Sequence, residues 1–244
     1  MKKLMVALAA AVLLAGCVEK DQTLKMITEA TFPPYEFLRG QEIVGIDVEI
    51  CKAVAAKLGR SFSVESVNFD SVIPTVISGK ADLAAAGITI TEDRKKNVDF
   101  SVPYVKTGVV FVYKKATPYA KGMDAKGKKV GVQSGTTSET FVTDELKQQP
   151  ERFDSPAAAV AALTAGRVDV VIADIDPAKN CVKGEADLAL SDFITTEEYA
   201  VAIRKGQPEL LKVINETIAE LKANGQLAKW VADYTAEADR LKDK

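Results

Sequence analysis

Apolar and polar positions along this chain switch between two spacings, one close to two residues and one close to four. Leu24 to Thr28 reads as a strand; after a Pro33-Pro34 loop and Gly45, the apolar residues Ile46, Ile50, Val54 and Leu58 recur every fourth position. That spacing predicts a helix from Ile46 to Leu58, closed by Gly59 in the manner of a C-terminal cap. Phe62 to Val67 is the next strand, Ser71 to Ser78 the next helix and Asp82 to Ala86 a third strand, a β-α-β-α-β order. The order then returns: strand Lys129 to Gln133, helix Thr137 to Lys147, an extended piece near Arg152, helix Pro156 to Thr164, and strand Asp169 to Ala173.

The return is legible residue by residue. SVIPTVISGKADLAAAGI (Ser71 to Ile88) lies over AAVAALTAGRVDVVIADI (Ala158 to Ile175) at a constant offset of 87, matching Gly79 with Gly166, Lys80 with Arg167 and Asp82 with Asp169. The shared glycine supplies a left-handed turn after each helix, and the aspartate opens each buried strand. Two such units predict two lobes built on open parallel sheets, with a ligand held beyond the carboxyl ends of the strands, in the cleft between them. Those ends are Glu29 to Phe32, Asn68 to Asp70 and Gly87 to Arg94 in the first lobe, and Ser134 to Thr137 and Asp174 in the second. The tail, Glu209 to Lys222 and Gln226 to Tyr234, has Leu210, Val213, Ile214, Ile218 and Leu221 at helical spacing and should pack on the first lobe.

The N-terminus changes the picture of where the protein works. Lys2 and Lys3 precede an apolar run from Leu4 to Leu14, too short to span a bilayer, which ends in Ala15, Gly16 and Cys17. This is a signal peptide, and Leu14-Ala15-Gly16-Cys17 resembles the bacterial lipobox, which implies cleavage before Cys17 and lipidation of its thiol. Residues 1–17 are thus set apart from the fold, and 18–23 form a short polar tether. Losing Lys2 and Lys3 from 32 basic residues leaves 30 against 34 acidic, a net charge of −4, which argues against a nucleic-acid partner.

Histidine is absent, so imidazole catalysis and histidine metal ligation are excluded together. Besides Cys17 there are only Cys51 and Cys181, too few for a disulfide framework or a close-ligand zinc site. Both are expected as buried free thiols, the alternative being a bridge between two lobes. No metal or cofactor is expected.

Unusual chemistry collects at the strand ends. Arg94 belongs either to a solvated basic face with Lys95 and Lys96 or, through Thr89 and Thr91, to the end of a strand. Thr136 and Thr137 open a helix whose free N–H groups suit an anion, and either could equally cap that helix. Asp174 ends an apolar strand and needs a partner, or else caps the turn through Asp176 and Pro177.

Several separated strings, TFPPYEF, NFDSVIP, AAGITITEDRKKNVDFSVPY (Ala85 to Tyr104), VGVQSGTTSETF and GRVDVVIAD, together resemble the polar-amino-acid-binding proteins of bacterial ABC importers, over Leu24 to Trp230. The resemblance implies an α/β, two-lobed periplasmic-binding-protein fold of type II, with two open sheets joined by two hinge connections. Residues 24–106 plus 200–244 would form lobe 1 and 107–199 lobe 2, linked near Tyr104 to Gly108 and Thr195 to Tyr199. Ala200 stands where such proteins usually have glycine. By the same resemblance Arg94 grips the ligand α-carboxylate with its planar fork, helped by Thr89 and by the amides at Thr136 and Thr137. The Gly87 carbonyl and Asp174 receive the ammonium, Phe32 and Phe69 flank the side chain, and Glu29 and Gln133 read its far end.

The implied protein is a monomeric, exported, lipid-anchored, non-catalytic receptor. It hands an amino acid to a membrane permease, with arginine, lysine or histidine ahead of glutamine. A sensor presenting ligand to a receptor would use the same residues, and an enzyme resembling cyclohexadienyl dehydratases would share the fold.

Overall fold

The computed structural model describes residues 22–242. The expected signal peptide, the lipidation at Cys17 and all but the end of the tether lie outside these residues; Thr23, placed in the tether, already belongs to β1 (Thr23–Thr28). A small antiparallel sheet follows, of β2 (Thr31–Phe32), β3 (Glu36–Arg39) and β4 (Glu42–Val44), and leads into α1 (Ile46–Lys57). Next come β5 (Ser61–Ser66), α2 (Phe69–Ile77), β6 (Leu83–Ala84), the short α3 (Glu92–Lys95) and β7 (Val98–Phe100). Strand β8 (Val105–Lys114) opens the second lobe, which continues through β9 (Val130–Gln133), α4 (Thr137–Thr140), β10 (Glu151–Phe153) and α5 (Pro156–Thr164). After β11 (Val170–Asp174), α6 (Ile175–Val182) and β12 (Leu188–Leu190), β13 (Thr195–Tyr199) returns the chain to β14 (Ala202–Arg204), α7 (Pro208–Ala223) and α8 (Gln226–Lys242).

The two large sheets are mixed, correcting the expectation of purely parallel ones. Their orders are β5-β1-β6-β14-β7 and β10-β9-β11-β8-β12, so each has a repeat's first strand inside, its second at the edge and its third on the other side. Strands β14 and β8 run antiparallel to β6 and β11 because each enters its sheet directly from the other lobe, against the direction of strands that end at the cleft. The two connections pair with each other: β13 lies antiparallel on β8 from Thr195 opposite Val109 to Tyr199 opposite Val105. The link between lobes is therefore a two-stranded ribbon. Ala200 sits buried beside it with an ordinary backbone conformation, so glycine's freedom is not needed there.

Alternation explains how both sheet faces are buried. In β11, Val171 and Ala173 join one core with α5 and α6, while Val170 and Ile172 join another with Phe111, Val142 and Leu146. In the first lobe Leu24, Met26 and Leu83 meet α1, α7 and α8, and Ile27 and Ala84 meet Val72 and Val76 of α2. Burying side chains such as Ile50 and Val54, fully covered on α1, contributes roughly 1.5–3 kcal/mol each.

The offset repeat is structural. Helices α2 and α5 correspond over their whole length, Gly79 and Gly166 both have φ of 75°, and both helix ends close through the same pair of main-chain hydrogen bonds. Asp82 donates its N–H to the Lys25 carbonyl at 2.9 Å and accepts the Lys25 N–H at 2.9 Å; Asp169 does the same with Lys129, both at 2.8 Å.

Other expectations shift. Helix α2 begins at Phe69 rather than Ser71, because Asn68 takes the N-cap position. The helix expected from Thr137 to Lys147 is a single α turn that widens into a π stretch over Phe141–Glu145 and stops at Lys147, φ 56°. Its β-branched residues are responsible: the Thr140 and Thr143 hydroxyls bond back to the Thr136 and Thr140 carbonyls and compete with the regular ladder. Helix α8 runs on past Tyr234, tied down by the Arg39–Glu237 ion pair and by buried Ala238. Cys51 is a free thiol, so no bridge joins it to Cys181, which is half-buried rather than buried.

Candidate functional site

A narrow cavity of about 10 Å³, room for about one water molecule, lies between the lobes, lined by Phe32, Phe69, Gly87, Thr89, Arg94, Gln133, Thr136, Thr137 and Asp174. Every lining residue was singled out in the sequence. Glu29, the remaining candidate, sits behind the wall and is reached across the cleft by Gln133 Nε2, 3.4 Å from its Oε2.

Arg94 is brought to the cavity by α3. The Thr91 hydroxyl caps that helix by accepting the Arg94 N–H, while Lys95 and Lys96 point outward to Glu92 and Asp93. Of the Arg-Lys-Lys run, only the first residue faces inward. Its guanidinium donates to the Thr89 carbonyl at 2.8 Å and across the cleft to the Gly135 carbonyl at 3.0 Å, lying 5.5 Å from the Phe69 ring centre. Burial pulls its pKa below the ordinary value, opposed by Glu197 and Asp174.

Gly87 has φ of 54°, and a Cβ there would come within 2.7 Å of the Phe32 ring, so conformation and space both demand glycine. Its N–H donates to Asp47 Oδ2 at 2.9 Å, which also accepts the Tyr104 hydroxyl at 2.7 Å. Asp47 Oδ1 and both carboxyl oxygens of Glu36 are buried without a hydrogen-bond partner, and burial raises both carboxyls, Glu36 well above its usual range.

In the second lobe Thr136 is the cap of α4, accepting from Glu139 N–H and donating to the Gln133 carbonyl at 2.8 Å, and it also faces the cavity. Asp174 stands at the start of α6, yet its side chain does not cap that helix. Its Oδ1 accepts the Tyr199 hydroxyl at 2.5 Å instead. Burial first, and the charge of Glu197 second, push the Asp174 pKa up to about 7. Burial likewise raises Glu29, against hydrogen bonds from Thr31 and Gln133.

Three residues escaped the sequence reading. Tyr199 stacks edge-on to Phe32 and Tyr35, with ring centres 6.2 and 5.1 Å away. Glu197 accepts the Thr89 hydroxyl at 2.5 Å, which orients that group. Tyr35 reaches Asp176 of the other lobe at 2.8 Å. Tyr35 lay in a matched string, and Glu197 and Tyr199 in the expected second connection, yet no local pattern reveals partners 25 to 141 residues away.

Two mixed sheets of one order, a ribbon hinge and a polar cavity between the lobes accord with what the matching family pattern describes: bacterial extracellular solute-binding proteins, family 3, over residues 24–237. The chain belongs to that family. It is 32% identical over 240 residues to the ABC transporter arginine-binding protein 1 of Escherichia coli (strain K12), covering 94% of this chain and 97% of that one. It is 33% identical over 230 residues to the L-cystine-binding protein of the same organism, covering 89% and 86%. Among solved structures, an ancestral arginine-binding protein bound to arginine superposes with a TM-score of 0.80 at 40% identity, covering 87% of this chain and 98% of that one. The family is one of binding proteins, so the chain is a receptor and not an enzyme.

Proposed function

We propose that the chain is the extracytoplasmic receptor of an ABC importer and closes on an amino acid with a cationic side chain, arginine foremost. One observation carries this reading: buried acid outnumbers base at the cleft. Arg94 is the single cation lining the cavity, while Asp174 lines it and Glu29 and Glu197 are buried against its wall. A zwitterion uses Arg94 for its carboxylate and Asp174 for its ammonium. Glu29 and Gln133 are then left for the far end of the side chain, where a guanidinium or ammonium supplies the charge that a buried carboxylate lacks. The arginine-binding relatives support the same ligand class.

Glutamine is the second reading, favoured by one observation. Burial raises the Glu29 pKa, and a protonated Glu29 donates to an amide carbonyl.

A thermal-shift panel of arginine, lysine, histidine, glutamine and cystine, followed by calorimetry on wild type and Glu29→Gln, separates the two. Arginine should give the largest shift. Glu29→Gln should weaken it at least tenfold while leaving glutamine within about threefold, since a carboxylate facing a cation is worth more than an amide. Equal losses for both ligands sink the basic assignment.

Anchoring belongs to the same proposal. The Cys17 thiol carries the lipid, the protein works as a monomer beside its permease, and Cys17→Ser releases it from the membrane fraction. The sensor role shares every binding residue, and a permease recovered by cross-linking to the closed receptor distinguishes transport from it.

A further inference from the structure

The TFPPYEF segment brings more to the cleft than Phe32. Tyr35 is buried, does not line the cavity, and donates its hydroxyl to Asp176 Oδ2 at 2.8 Å. Its mount is rigid. The Tyr35 carbonyl accepts the Asp47 N–H at 3.0 Å, and a Cβ on Gly45 would come within 2.1 Å of the same oxygen, so only glycine lets α1 start this close. Asp176 occupies the first turn of α6. The same helix donates Asn180 Nδ2 to the Pro33 carbonyl at 3.2 Å, and Lys183, just past its end, donates Nζ to the Asp239 carbonyl of α8 at 2.8 Å. One helix of the second lobe thus meets the first lobe at three successive points. None of those donors and acceptors lines the ligand cavity.

We propose that α6 is a closure latch in which Tyr35 and Asp176 set how long the ligand stays, although neither touches it. In a two-state hinge, contacts made only in the closed form raise its population, and ligand affinity scales with that population. They must also break before the ligand leaves, so their loss is read in dissociation rather than association. Burial and the Asp176 carboxylate hold the Tyr35 phenol far above its ordinary pKa, which keeps it a donor at any working pH. The effect on residence time rests on the ligand reading above; the effect on closure does not.

The test uses Tyr35→Phe, Asp176→Ala and the double variant, with Asn180→Ala as a further probe should Asp176→Ala fold poorly. Small-angle scattering of the ligand-free protein should show a larger radius of gyration in each single variant and no further increase in the double. Stopped-flow kinetics with arginine should show dissociation about tenfold faster and association within twofold of wild type, the scale of one hydrogen bond to a charged group. Unchanged scattering and dissociation overturn the latch. So does a Tyr35→Phe effect that persists undiminished in the Asp176→Ala background, because the hydroxyl would then act through the packing of Phe32. Should wild type bind no amino acid while the scattering change is present, the latch stands and the ligand assignment falls.

Discussion

Helix α2 with β6, and α5 with β11, are one fragment used twice, and the two copies part company at a single kind of position. Asp82 and Asp169 match in residue and in their paired main-chain bonds to Lys25 and Lys129, to which Asp82 adds the Arg60 guanidinium at 3.1 Å. Five residues further on, at the same offset of 87, the first lobe has Gly87 and the second has Asp174. Gly87 yields its N–H to Asp47 and leaves room for Phe32, whereas Asp174 presents a carboxylate held by Tyr199. Residues whose partners are main chain are duplicated, because every strand-opening turn poses the same hydrogen-bonding problem. Residues that face the cleft differ: on the proposed reading Gly87 meets the ammonium with a main-chain carbonyl and Asp174 meets it with a charge, while Arg94 alone brings a cation to the carboxylate.

The largest expected effects come from removing a pole. Asp174→Ala and Arg94→Ala should each weaken binding by about thirtyfold to a few thousandfold, since truncating one partner of a buried charge pair costs about 2–5 kcal/mol and leaves its counterpart unpaired. Both variants should retain wild-type circular dichroism. Near-normal calorimetric affinity in either would dissolve the contrast between the lobes.

A change of pH tests the same contrast without mutation. Asp174 has a pKa pushed up to about 7 by burial and Glu197, with Tyr199 and Arg94 pulling the other way. In the ligand-free protein, then, the proton is held more tightly folded than unfolded. The stability this gives is full below the ordinary carboxylate pKa and is lost as pH rises through 7. Ligand binding wants the ionised form and runs the other way, with affinity at pH 5.5 roughly 30-fold weaker than at pH 8. Calorimetry across that window should also find about one proton released per ligand bound at pH 5.5. A flat profile would mean that Asp174 is not the ammonium acceptor.

The sequence announces such residues unevenly. Gly87 and Asp174 stand at ends of apolar strands, where local pattern alone marks a charged or flexible residue as out of place, whereas Arg94, on α3, was placed by its motif string. All nine cavity-lining residues were found this way or through their motif strings. What orients them was not legible: Tyr199 is supplied by the returning hinge strand, Glu197 lies two residues before it, and Glu36 looks like any polar residue in a hairpin until the fold buries it against Asp47. Antiparallel β8 and β14 were missed for the same reason. Their direction follows from which lobe the chain has just left, and periodicity carries no information about that.

The duplicated aspartates should give a smaller, symmetrical effect. Asp82→Asn and Asp169→Asn each weaken one charge-assisted bond to a strand N–H, at a cost of about 1 kcal/mol discounted for partial exposure, and Asp82→Asn also weakens the Arg60 pair, worth little at this exposure. Thermal melts should fall by about 2–4 °C in each variant. Arginine affinity should stay within twofold, because neither residue reaches the cavity. A binding defect in one variant but not the other would show that the scaffold itself is asymmetric.

The smallest effect concerns arrival rather than binding. Arg94, Gly135 and Thr137 also edge an open depression lined by Asp93, Asp144, Glu145 and Glu197. Lys96 already pairs with Asp93, whereas Asp144 and Glu145 are exposed at the rim of the second lobe, where their field reaches an incoming cation through water. Screening over about 8 Å at physiological salt limits that field to steering. Asp144→Asn with Glu145→Gln should therefore slow arginine association about twofold to threefold at low ionic strength, leave it unchanged at high salt, and not affect glutamine at all. A salt-independent loss would instead assign these two residues to the closed cleft, and the difference between the lobes would then extend from the poles of the ligand to its route of entry.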